Sequence, residues 1–116
     1  MNEEINRLNF ENFIWITFAS LCILNINGDN LEKEYIQDNN EYAHNKANKI
    51  FEFTLTITLL IYIYFFLRNY RALKKEKQQK KLYEIKLLGS TLLIAGIICL
   101  IYFQKKQRTF SGSPAL

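Results

Sequence analysis

Histidine, proline and tryptophan occur once each in 116 residues, cysteine twice and glycine four times. These scarcities exclude much chemistry. His44 has no second histidine and no cysteine near it in sequence, and a zinc site needs three or four ligands, so no metal is expected. There is no glycine-rich phosphate loop and no nucleophile beside a histidine. Neither a cofactor nor a catalytic residue is therefore expected, and the chain reads as non-enzymatic. The leading region lacks the positive charge of a cleavable signal peptide, since Glu3, Glu4 and Glu11 outweigh Arg7. Leu21 stands where lipoprotein processing before Cys22 would need a small residue, so lipidation is not expected.

The most informative absence is that of charge. Uncharged runs occupy residues 12–28, 53–67 and 87–104, which are 17, 15 and 18 residues long. A bilayer core needs about 20 helical residues, with about 17 near the lower limit. The third run reaches that limit unaided. The second reaches it with Ile50, Phe51, Asn69 and Tyr70, because Glu52 and Arg68 can extend to the interface from helix ends. The first needs Phe10 and Glu11.

The expected fold is all-α: one integral membrane domain with three transmembrane helices at about 10–28, 50–70 and 86–104. An acidic loop, 29–49, and a basic loop, 71–85, would join them. The alternative has two spans plus an N-terminal helix lying in the interface. A soluble helix would show a polar face at the 3.6 period, yet residues 54–67 carry no charge on any side. The Thr, Ile, Tyr and Phe of that segment suit a strand. Ordinary strands average about 5 to 6 residues, however, and three candidates cannot close a barrel.

Charge asymmetry indicates orientation. Residues 68–86 carry Arg68, Arg71, Lys74, Lys75, Lys77, Lys80, Lys81 and Lys86 against Glu76 and Glu84. Residues 29–52 carry Asp29, Glu32, Glu34, Asp38, Glu41 and Glu52 against Lys33, Lys46 and Lys49. The positive-inside rule places the basic connection in the cytoplasm, the acidic one outside, the N-terminus inside and the C-terminus outside. The acidic N-terminal tail and the late Lys105, Lys106 and Arg108 run against this assignment but are outweighed.

Within the runs, Thr91, Ala95 and Cys99 recur at i+4 and Gly89 and Gly96 stand a heptad apart. Small residues so spaced let helices approach closely in lipid, so this is the expected packing face of the third span. Gly96→Leu is accordingly expected to disrupt contacts more than Ile97→Leu. Thr54, Thr58 and Tyr62, and likewise Thr17, Ser20 and Asn27, read as packing positions, with a pore lining as the alternative. Cys22 and Cys99 read as small apolar residues, with a crosslink between them as the sharper alternative. Trp15 and Tyr70 on one side, and Tyr102 and Phe103 on the other, match interfacial aromatic belts. Arg71, Lys74, Lys75, Lys77, Lys80 and Lys81 are candidates for anionic lipid head groups. No nucleic-acid-binding module accompanies them. The expected lack of ionisable residues inside the spans argues against ion-coupled transport.

Residues 61–70 (IYIYFFLRNY), 81–90 (KLYEIKLLGS) and the closing Gly-Ser-Pro-Ala-Leu resemble segments of small uncharacterised multi-pass proteins of low-GC Gram-positive bacteria. The resemblance implies a bacterial plasma membrane location and carries no activity or functional residue across. Together these features suggest an accessory or interaction component of a membrane complex, self-associating or docking on a partner membrane protein. An oligomeric, holin-like pore and a lipid-head-group binder are the alternatives.

Overall fold

The computed structural model describes residues 2–106. They form three α-helices: α1, Asn2–Asp38; α2, Glu41–Lys75; and α3, Lys80–Lys106. Among the described residues there is no strand. Each helix is long and apolar enough to cross a membrane. Arg108 and the closing Gly-Ser-Pro-Ala-Leu segment lie outside the described residues.

The helices overrun the apolar runs, and this corrects the expected connections. The acidic segment 29–49 is not a loop: only Asn39 and Asn40 interrupt it. Asn39 adopts φ 53°, the left-handed conformation in which Asn is tolerated and which stops a helix. Asn40 then caps the next helix, its Oδ1 accepting the Ala43 N–H at 3.3 Å. A charged stretch stays helical where one face is buried, here at Glu32, Ala43 and Ala47. The basic segment 71–85 is helical on both sides of residues 76–79. Glu76 organises it, with Oε1 accepting the backbone N–H groups of Lys77, Gln78 and Gln79 at 3.2, 3.0 and 3.2 Å.

The chain divides into two compact units, one through Thr54 and the other from Leu55. In the first, α1 and the start of α2 bury Gly28, Glu32, Ala43, Ala47 and Phe51. Thr54 is tied to α1 by its hydroxyl, which donates to Asn25 Oδ1 at 3.0 Å. In the second, Leu55, Thr58, Ile61 and Asn69 of α2 are buried, as are Ser90, Ile97 and Gln104 of α3. The Asn69 amide donates to the Ser90 hydroxyl between these helices.

The inward faces repeat every seven residues. On α1, Glu11, Ile14, Leu21, Gly28 and Glu32 are buried and Phe18, Asn25 and Tyr35 half-buried, in alternating steps of three and four. On α3 the same steps run Tyr83, Leu87, Ser90, Ile94, Ile97, Ile101, Gln104. A 3.5-residue seam of this kind is what knobs-into-holes packing presents.

Candidate interaction surfaces

The buried residues of α3 are Ser90, Ile97 and Gln104, so the small-residue face expected to pack lies elsewhere. Gly89, Thr91, Ala95, Gly96 and Cys99 are all exposed. A Cβ built at Gly89 or Gly96 would meet nothing within 4 Å. The face is therefore open, with Leu88, Leu92, Leu93, Ile98 and Tyr102 also exposed on α3. The most apolar stretches of α1, α2 and α3 are only 17%, 28% and 11% buried within the chain.

The hydroxyl residues bond mainly within the chain. Thr17 and Ser20 donate to the carbonyls of Phe13 and Ile16, at 3.0 and 3.1 Å, and Thr91 to that of Leu87 at 2.9 Å. Thr54 and Thr58 are buried inside the chain, while Asn27 is exposed. Such back-bonding satisfies a hydroxyl within its own helix. Both cysteines are free and exposed.

Around the α2–α3 turn, Arg71, Lys74, Lys75, Lys77, Lys80 and Lys81 are all exposed. The Lys74 ammonium lies 4.7 Å from the Tyr70 ring centroid, and the Arg68 guanidinium 4.8 Å from that of Phe65. Lysines over tyrosines at a helix end keep the charge at the rim while the stem covers apolar surface. Glu76 is the one acid in this connection. The backbone N–H of Gln78, helped by those of Gln79 and Lys77, holds its carboxyl below the usual glutamate range.

Two ionisable features have partners that the sequence reading did not identify. Glu11 lies within 10–28 and is buried, with Arg7 Nε 3.6 Å from its Oε2. Glu11, at the end of the first expected span, falls on the buried heptad stripe of α1. The second feature is at the α1–α2 turn. His44 Nδ1 and Glu32 Oε1 are 2.7 Å apart, with the imidazole stacked on Tyr35 at a 4.4 Å centroid distance. Asn48 Nδ2 approaches His44 Nε2 at 3.4 Å. Glu32 is 3% exposed, and its Oε2, like Asp29 Oδ1, is buried without a hydrogen-bond partner. Folding the sequence about Asn39 and Asn40 brings Glu32 opposite His44, so the helix-stop signal was the available clue.

No family model, curated protein or solved structure matches this chain.

Proposed function

We propose that the protein is a non-enzymatic, three-span protein of the bacterial plasma membrane. In this reading it is an accessory component that meets a second copy, or a partner membrane protein, through the outer face of α3. The observation that carries this is the open face at Gly89 and Gly96, where no other part of the described residues comes within 4 Å of a built Cβ. An unfilled notch on an apolar helix suits close approach by another helix, since packing rather than hydrophobicity drives association in lipid. The sparse burial of all three apolar stretches supports a lipid setting, because water would penalise so much exposed apolar surface. Positive-inside counting places the 76–79 turn in the cytoplasm, the Asn39–Asn40 turn and the C-terminus outside, and the N-terminus inside.

Crosslinking in native membranes tests the proposal. Wild-type protein should yield a defined crosslinked species, and Gly89→Leu and Gly96→Leu should each abolish it while leaving the isolated chain's unfolding unchanged. Retention of the species in both variants would refute the α3 face. Rapid loss of membrane potential on induced expression would favour a pore instead, and a chain monodisperse in buffer without detergent would remove the membrane premise.

A second reading rests on the exposed basic residues about the α2–α3 turn: Arg71, Lys74, Lys75, Lys77, Lys80 and Lys81 would hold anionic lipid head groups. Each basic residue near such a surface contributes about 1 kcal/mol.

A further inference from the structure

The open face of α3 has a cation at each end. Lys81, Ile85, Leu92, Gly96, Cys99 and Lys106 are all exposed and fall on one outward stripe, in steps of three, four and seven residues. Lys81 and Lys106 are 25 residues apart. At roughly 1.5 Å per residue this is about 38 Å along the helix. A bilayer with its head groups is about 40–45 Å thick, so one ammonium reaches each boundary. Any helix that docks on the stripe meets positive charge at both ends.

A second copy of the chain offers three helices, and charge separates them. A second α3 would set lysine against lysine at both ends, whether parallel or antiparallel. α2 comes to the side of Lys81 with Arg71, Lys74 and Lys75, all exposed and again basic. α1 differs, with seven acids against Arg7 and Lys33. In three successive spans α1 and α3 run in the same direction, so the two meet in parallel.

One register satisfies both ends at once. Glu4 and Asp29 of α1 are 25 residues apart, as are Lys81 and Lys106. With Glu4 beside Lys81, Asp29 therefore falls beside Lys106. The same alignment sets Leu8 against Ile85, Trp15 against Leu92, Ala19 against Gly96 and Cys22 against Cys99. On α1, Glu4, Leu8, Trp15, Ala19 and Cys22 are exposed and Asp29 is half-buried. Glu4 has Arg7 at 3.9 Å, a long and solvated contact that an ammonium across an interface can join. Both stripes are open in the same chain, so the α1 that covers α3 belongs to another copy.

We propose that the outer stripe of α3 receives α1 of a second copy, parallel and in this register. This rests on the membrane reading and on the open α3 face, and it names the occupant. Packing along the middle of the stripe supplies the attraction, while the ion pairs at the ends set direction and register. Each chain carries both halves of the contact, so copies join head to tail or reciprocally.

The test links two differently tagged copies of the full chain in native membranes. One copy carries Cys22→Ser and the other Cys99→Ser, which leaves a single thiol in each. Copper–phenanthroline, which oxidises neighbouring thiols to a disulfide, should join the two tags, whereas either variant expressed alone should stay unlinked. Gly96→Leu in the copy that retains Cys99 should abolish the link. Lys81→Glu in that copy should lower the yield about fivefold, the size of an exposed ion pair's effect, and Glu4→Lys in the other copy should restore it. Both side chains are exposed, so the swap leaves each fold in place. A dominant link between two Cys99 residues would overturn this occupant while keeping α3 as the contact. No link between the tags, with the crosslinked species still lost in Gly96→Leu, would overturn it in favour of a different membrane protein. A link indifferent to the charge changes would overturn the register, and one that survives Gly96→Leu would overturn the α3 face as well.

Discussion

Gly28 and the Phe51 ring are in such close approach that a Cβ on Gly28 would stand 2.5 Å from Phe51 Cε1 and 2.8 Å from Cζ. Phe51 is 1% exposed, so its ring has no free direction in which to retreat. Overpacking of this kind costs roughly 1–3 kcal/mol, more than the 0.5–1 kcal/mol that Gly→Ala gains inside a helix. Gly28→Ala should therefore destabilise the chain, whereas Gly96→Ala should be neutral or slightly stabilising. Unfolding by denaturant in detergent micelles checks the contrast; equal effects would contradict the contact.

Ile97 is 3% exposed, while its neighbour Gly96 faces open space. For folding of the single chain, truncation at Ile97 is therefore expected to cost more than substitution at Gly96. Ile97→Ala should cost about 1–2 kcal/mol, the packing part of the roughly 2–5 kcal/mol typical of aqueous cores. Gly96→Leu should leave the unfolding midpoint in place and act, if at all, on association between chains.

Ser90 accepts from the Asn69 amide and its own hydroxyl donates to the Lys86 carbonyl at 3.3 Å. Ser90→Ala leaves a buried amide unpaired, at a cost of about 1–2 kcal/mol. The double variant Asn69→Leu, Ser90→Ala removes both partners and should recover much of that loss. A double variant less stable than Ser90→Ala alone would show that Asn69 contributes otherwise than through this bond.

Glu76 should titrate below the usual glutamate range, because backbone N–H groups, that of Gln78 foremost, favour its charged form. A lowered folded value means that the contribution to the turn is present above the unfolded pKa and is lost as pH falls through the folded one. Amide chemical shifts of Gln78 and Gln79 should follow that acid transition in the wild type and lose it in Glu76→Gln.

Replacing Lys74, Lys75, Lys77, Lys80 and Lys81 with Gln should reduce the phosphatidylglycerol retained through detergent purification, read by native mass spectrometry. Retention equal to wild type would end the head-group reading. The same variant should also show mixed orientation in labelling experiments, since the dominant inside charge is gone.

The parts legible in the sequence were those that depend on near neighbours alone. Charge missing over 15 to 18 successive residues is a property of a segment, and it led to three long helices. The Asn39–Asn40 signal was equally local, though it was passed over for the polarity around it.

Which stripe of each helix turns inward was not legible. A segment apolar on every side has no polar face to mark its outer surface, so its contacts depend on the partner it meets. Small residues singled out Gly89 and Gly96, whereas tertiary pairing chose Ser90, Ile97 and Gln104 and made Gly28 the close-approach glycine. Glu32 and His44, twelve residues apart, became a pair only when the turn brought them to 2.7 Å. The sequence by itself determined the helices and their charged ends, because those follow from composition along the chain. Only the tertiary structure decided the contact faces and the buried acid–base pair, because those follow from which residues of separate helices arrive at the same place.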